Sequence, residues 1–163
     1  MTVIYSQNFD STGVGDLPTG WTPIAGTTWA VQNATCVSSP NALGSSSPDS
    51  AIILFTGTSA LADMDVSWDI KPNSSSSFMG IILRASSDAQ NGYFVIPENA
   101  GNLNGNWHIF KVVGGISNSI NTSSISGLFG AVSIRARVQG STISAKIWRQ
   151  GTSEPSGDRK SVV

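Results

Sequence analysis

Charge is scarce in this chain. Asp, Glu, Lys and Arg make up 12% of 163 residues, and the formal balance is -1. There is no tract of Lys and Arg, so nucleic acid finds no electrostatic footprint, and the near-neutral balance gives no general pull toward an anionic membrane. Cysteine is reduced to Cys36. A single thiol excludes an intrachain disulfide and a thiolate zinc site, and leaves Cys36 as a small core filler. Histidine is also single, His108, inside a strand-like run. A Ser-His-Asp arrangement would need it as the base, yet no Gly-x-Ser-x-Gly elbow accompanies it, so a satisfied structural histidine is expected. Glutamate amounts to Glu98 and Glu154, far apart and both in turn-like contexts. No apolar stretch is long enough to span a bilayer, and the start lacks the basic-then-apolar order of a signal peptide. Amphipathic helical periodicity is missing as well.

What fills the space is Ser, Thr, Asn and Gly, with five Trp and six Phe as core anchors. That balance suits a loop-rich extracellular or virion β protein more than a cytosolic helical enzyme. The length fits one domain able to bury a core without staples. Three glycosylation triplets, at Asn33, Asn73 and Asn121, are the chance expectation of a Ser/Thr-rich text.

Short alternating runs separated by Gly, Pro, Asn and Ser predict about ten strands. Residues 3–9 read as the first strand, followed by a turn-rich loop over 10–20. Further strands are predicted at 29–32, 51–56, 62–70, 78–85, 93–97 and 106–113. Short strands are expected near 42–43 and at 116–120 within a polar connection. The cleanest alternation puts Met64, Val66, Trp68 and Ile70 on one face and Asp63, Asp65, Ser67 and Asp69 on the other. Trp21, Trp29, Trp68 and Trp107 are expected in the core. Residues 131–148 predict a hairpin around Gly140. With Gln139 and Gly140 as its loop, Val138 faces Ser141, Ala136 faces Ile143, Ile134 faces Ala145 and Val132 faces Ile147. One face is then apolar, and Arg135, Arg137 and Lys146 share the other. The fold class expected is all-β, an antiparallel β-sandwich.

The text changes character at its end. Residues 158–163 form a basic hexapeptide that reads as translated adapter sequence, a non-native tail on a single domain of residues 1–157. The sandwich would then lack its C-terminal strands and leave sheet edges unpaired.

Three pieces carry a family resemblance. Asn8-Phe9-Asp10 with Leu17-Pro18-Thr19-Gly20-Trp21 is similar to the opening of LamG-like jelly-roll modules. Met79 to Arg84, a polar loop, and Asn91 to Phe94 resemble their paired strands. Val138 to Trp148 with Gly151 and Glu154-Pro155 resembles their late strand, tryptophan and Glu-Pro turn. The chain thus resembles the concanavalin A-like lectin/glucanase superfamily, in its bacterial-surface and phage-tail branch. The resemblance implies a jelly roll, two more strands after the Glu-Pro turn, and a virion or extracellular setting.

Catalysis of the glucanase type needs two carboxyl groups across the bond. Family glutamates on one strand have no counterpart here. Asp63, Asp65 and Asp69 share a strand face, with spacings that put carboxylates about 7 Å apart, but a solvated face is the plainer account. Structural calcium through Asp63 and Asp65 is the metal these oxygens would favour; no cofactor is otherwise implied. The constellation that carries a functional expectation is the cationic hairpin face: Arg135, Arg137 and Lys146, with Trp148 at its edge and Arg84 and Tyr93 joining from the neighbouring strand pair. Guanidinium forks and an aromatic ring suit sugar hydroxyls, acids and apolar sugar faces. The plainer alternative is long cations coating a wet sheet face. The expectation is a non-enzymatic, lectin-like module binding a glycan or cell-surface polysaccharide, with no nucleic-acid partner and no membrane insertion. A purely structural virion or adhesin domain is the alternative, and a glycoside hydrolase the less favoured one.

Overall fold

The computed structural model describes residues 3–25, 28–46, 51–57, 61–71, 80–97, 105–125, 130–157 and 159–162. Asn73, Met79, Glu98 and Asp158 lie outside these. The described residues contain strands, turns and bends but no helix. They fall into two compact units, residues Met1–Ala60 and Leu61–Val163.

The first unit holds four short strands: β1 (Trp21–Ala25), β2 (Trp29–Gln32), β3 (Ala42–Ser45) and β4 (Ile52–Phe55). β1 pairs antiparallel with β4, and β2 with β3. Residues 3–9, expected as a strand, join no ladder. Their alternation serves ring contacts instead. The Tyr5 ring lies 4.0 Å from Phe55, and Phe9 packs edge-on to Trp21 at 5.8 Å. The Trp21 Nε1–H donates to the Tyr5 hydroxyl at 3.0 Å. The glycine-rich loop before β1 is tied to β2: Gly15 N–H donates to Val31 O, and Val31 N–H to Asp16 O, each at 2.9 Å.

The second unit contains β5 (Met64–Ile70), β6 (Ile81–Leu83), β7 (Gly92–Pro97), β8 (Gly105–Val113), β9 (Ile116–Ile125), β10 (Val132–Gln139), β11 (Thr142–Arg149) and β12 (Arg159–Val162). They form two antiparallel four-stranded sheets, ordered β12-β11-β10-β5 and β6-β7-β8-β9. One hydrophobic cluster joins the inner faces of both: Ile70, Val132, Ile134, Ala136, Val138, Ile143 and Ala145 from the first, Leu83, Val95, Trp107 and Ile109 from the second. The unit is therefore a β-sandwich. Met64, Val66 and Trp68 pack against the same cluster, as the alternation of β5 predicts.

The hairpin forms, with its faces sorted as expected and its register moved by two residues. Val138 pairs with Ile143, Ala136 with Ala145, Ile134 with Ile147 and Arg135 with Lys146. The turn is Gly140-Ser141, with Gly140 at φ +55°. A glycine at the first central position is the residue order of a II′ turn, whose twist matches the strands. A shift of two preserves the side-chain period, so hydrophobic sorting cannot distinguish the two registers. The polar connection after Gly115 is also more ordered than expected: β9 runs to Ile125 along β8, with a bulge at Ile109/Phe110. Residues 159–162, read from sequence as tail, form β12 on the free edge of β11.

Candidate functional site

β10 and β11 turn their apolar residues inward, so their other residues line the outer face of the sheet. Ser133, Arg135 and Arg137 stand there beside Trp148, Lys146 and Ser144 of β11. On the other side, β5 places Asp69, Ser67 and Asp65 opposite the same three residues. The chain after β11 then brings Glu154 back over the face. These parts enclose a recess of about 150 Å³ lined by Asp65, Arg135, Arg137, Ser144, Ala145, Lys146 and Glu154.

Arg135 is the hub. Its Nε donates to Asp65 Oδ1 at 2.8 Å and its Nη2 to Oδ2 at 2.9 Å, a two-pronged pair. Its Nη1 donates to both Glu154 oxygens, at 3.1 and 3.3 Å. Lys146 Nζ donates to Glu154 Oε1 at 2.9 Å. The Asp65 side chain is 7% exposed and that of Arg135 42%, so the acid lies beneath its cation. Hydrogen bonds from Arg135 hold the Asp65 carboxyl below the usual range, against the opposing effect of burial. Glu154 is lowered in the same way, first by Lys146 and then by Arg135. The two acids raise the Arg135 guanidinium further above its already high value, chiefly through Asp65.

The structure brings together Arg135, Arg137 and Lys146 as expected. Trp148 lies on the same face, opposite Ser133 and two residues along the strand from Lys146, beyond the lining of the recess. Arg84 and Tyr93 are not brought there. Arg84 follows β6, and its guanidinium donates to Ala62 O at 2.6 Å and to Gly140 O at 2.8 Å, with Asp63 at 3.3 Å. It ties the hairpin turn to the start of β5. Tyr93 lies in the second sheet, packed against the core cluster, because it shares the inward parity of Val95.

Asp65 and Glu154 are the residues that sequence reasoning missed as partners. The available signal was a pair of arginines on one strand face of a charge-poor chain, which demands acids nearby. Asp63 and Asp65, the oxygens expected to favour calcium, are engaged by protein groups. Asp63 accepts from Arg84 and from the Gly140 amide at 2.9 Å, and Asp65 is taken by Arg135. Among the described residues, no three of His, Cys, Asp and Glu are grouped to hold a metal. The carboxylate row considered for catalysis is also split, since Asp69 accepts from Ser133. His108 is placed on β8, with Nδ1 2.9 Å from Thr122 Oγ1 and its ring stacked on Phe110.

No family model matches the chain, and no curated protein matches its sequence. Among solved structures, the carbohydrate binding module CBM66 from Bacillus subtilis is similar, with a TM-score of 0.61 at 19% identity. The match covers 79% of this chain and 74% of that one. At this identity the likeness establishes a shared fold.

Proposed function

We propose that the protein is a non-catalytic, lectin-like carbohydrate-recognition module of the LamG-like, concanavalin A-related type, and that a sugar seats in the recess on β10 and β11. The observation that carries this reading is the preassembled Asp65–Arg135–Glu154–Lys146 network. Sugar hydroxyls both donate and accept; the network fixes the walls of the recess, while Arg137 and Ser144 line it without being bound into the network. Trp148 on the same face supplies a ring for an apolar sugar surface. The fold shared with a protein described as a carbohydrate binding module supports the same reading. An extracellular or virion-surface setting agrees with a chain rich in Ser, Thr, Asn and Gly.

Hydrolysis at the recess is disfavoured, because both of its acids are ion-paired with cations. A glycosidase needs one carboxyl held protonated near neutral pH as the general acid. Asp65 and Glu154 are both shifted the other way, and both are bound to Arg135.

A structural role is the second reading. It is favoured by the fact that Asp65, Arg135 and Glu154 already satisfy one another, as a clasp over the sheet would. A glycan array probed with the full chain separates the two. Recognition predicts hits that disappear in Arg135→Ala and in Trp148→Ala. A clasp predicts no hits with the parent chain and a lowered melting temperature in Arg135→Ala.

A further inference from the structure

The recess is not electrically balanced. Its lining holds three cations, Arg135, Arg137 and Lys146, against two carboxylates, Asp65 and Glu154. The carboxylates are spent within it. Asp65 is nearly covered and bound two-pronged by Arg135. Glu154 is shared between Arg135 and Lys146. Arg137 is exposed and, among the described residues, makes no side-chain hydrogen bond or ion pair. This holds although it stands directly opposite Asp65 on one side and Ser144 on the other. One positive charge is therefore presented outward, on a molecule whose overall balance is -1. A local field of this sign selects anions at short range.

We infer that the recess takes an acidic sugar, whose carboxylate docks on the guanidinium of Arg137. This rests on the carbohydrate reading above and narrows its substrate class. A planar carboxylate matches the guanidinium fork with two parallel hydrogen bonds. Arg135 cannot serve in the same way, because its Nε, Nη1 and Nη2 already donate to Asp65 and Glu154. It fixes the wall of the recess, while Arg137 provides the open fork. Ser144, directly across from Arg137, lines the same recess with a hydroxyl for the adjoining sugar.

The test is a glycan array carrying uronic-acid oligosaccharides, sialylated glycans, sulfated glycans and neutral oligosaccharides, probed with the full chain. Titration of the best hits follows. Hits should concentrate among carboxylate-bearing glycans. Arg137→Gln should weaken them roughly ten- to a hundred-fold, the worth of a charge-assisted hydrogen bond. Arg137→Lys should retain part of the affinity, since it keeps the charge and loses the fork. Methyl esterification of a uronate hit should cost the parent chain as much as Arg137→Gln does. Because Arg137 is exposed, unchanged melting of both variants is expected and confirms that the fold is intact. Neutral glycans bound as tightly, with no response to Arg137→Gln but loss in Arg135→Ala, would overturn the acidic class and leave carbohydrate recognition standing. Hits confined to sulfated glycans would overturn the carboxylate assignment. An array with no hits would overturn both.

Discussion

Asp65 concentrates the electrostatics of the recess in one side chain. Its folded pKa is depressed, so its ionised form is favoured by folding. The sign follows from linkage. The stabilisation is fully present above the unfolded-state value, about 3.9, and is lost as pH falls through the lower folded value. Replacing Asp65 by Asn keeps the shape and removes the charge. Arg135 is substantially exposed, so solvent screens the pair, and the expected cost at neutral pH is about 1–2 kcal/mol. Urea unfolding of the parent and Asp65→Asn across the acid range checks this. The gap between the two should narrow as pH drops below 4 or so. A gap that stays constant with pH would show that the carboxylate's charge is not what stabilises. Glu154 has the same sign of shift, with Lys146 as its first cause, but its side chain is more exposed than that of Asp65, so salt should weaken its contribution before that of Asp65.

Strands were legible wherever apolar residues alternate over a buried face. Met64–Ile70, Trp29–Gln32 and the β10–β11 hairpin all satisfy that condition. β9 was only half legible, because an edge strand of Ser, Asn and Thr is held by backbone ladder bonds and leaves no hydrophobic period. Residues 3–9 misled for the opposite reason, since their alternation has no ladder and is used for ring contacts. The hairpin register turned on a feature that faces cannot report, the position of Gly140 within its turn. Gly140 has φ +55° and no neighbouring atom near the place of an added Cβ. Gly140→Ala should therefore cost about 1 kcal/mol of backbone strain alone, read as a shift in urea midpoint. A cost several times larger would mean that packing, not conformation, requires the glycine. Arg84 poses the converse question, being a non-glycine residue at φ +50° whose side chain bonds Ala62, Asp63 and Gly140. Arg84→Ala loses these bonds and keeps the strain. Arg84→Gly loses them and relieves it, so the glycine variant should be the more stable by about 1 kcal/mol. If alanine is equal or better, the backbone there is not strained.

The recess is assembled at the scale of the molecule, and that is why its acids were not read from sequence. Asp65 and Arg135 are separated by 70 positions, and only the pairing of β5 with β10 sets them side by side. A strand pattern tells which face a residue takes, but not which strand lies next to it. The cations were legible because they sit on one hairpin, a local object; their counter-ions come from a distant strand and a later turn. The same pairing joins the recess to the core, since each outward residue of β10 alternates with a buried one. Ile134 is 1% exposed, pairs with Trp68 on one side and Ile147 on the other, and precedes Arg135 directly. Ile134→Val removes one methyl and should cost about 0.5–1.5 kcal/mol while leaving the sheet in place, so glycan affinity should be unchanged although melting falls. Ile134→Ala should cost about 2–5 kcal/mol, a large share of the roughly 5–15 kcal/mol that holds a domain together. Near the melting temperature of that variant, glycan binding and the far-ultraviolet strand signal should fall together. Binding lost well before the strand signal would mean that the recess opens independently of the sheet, and that Asp65 and Arg135 are brought together by something other than the ladder between β5 and β10.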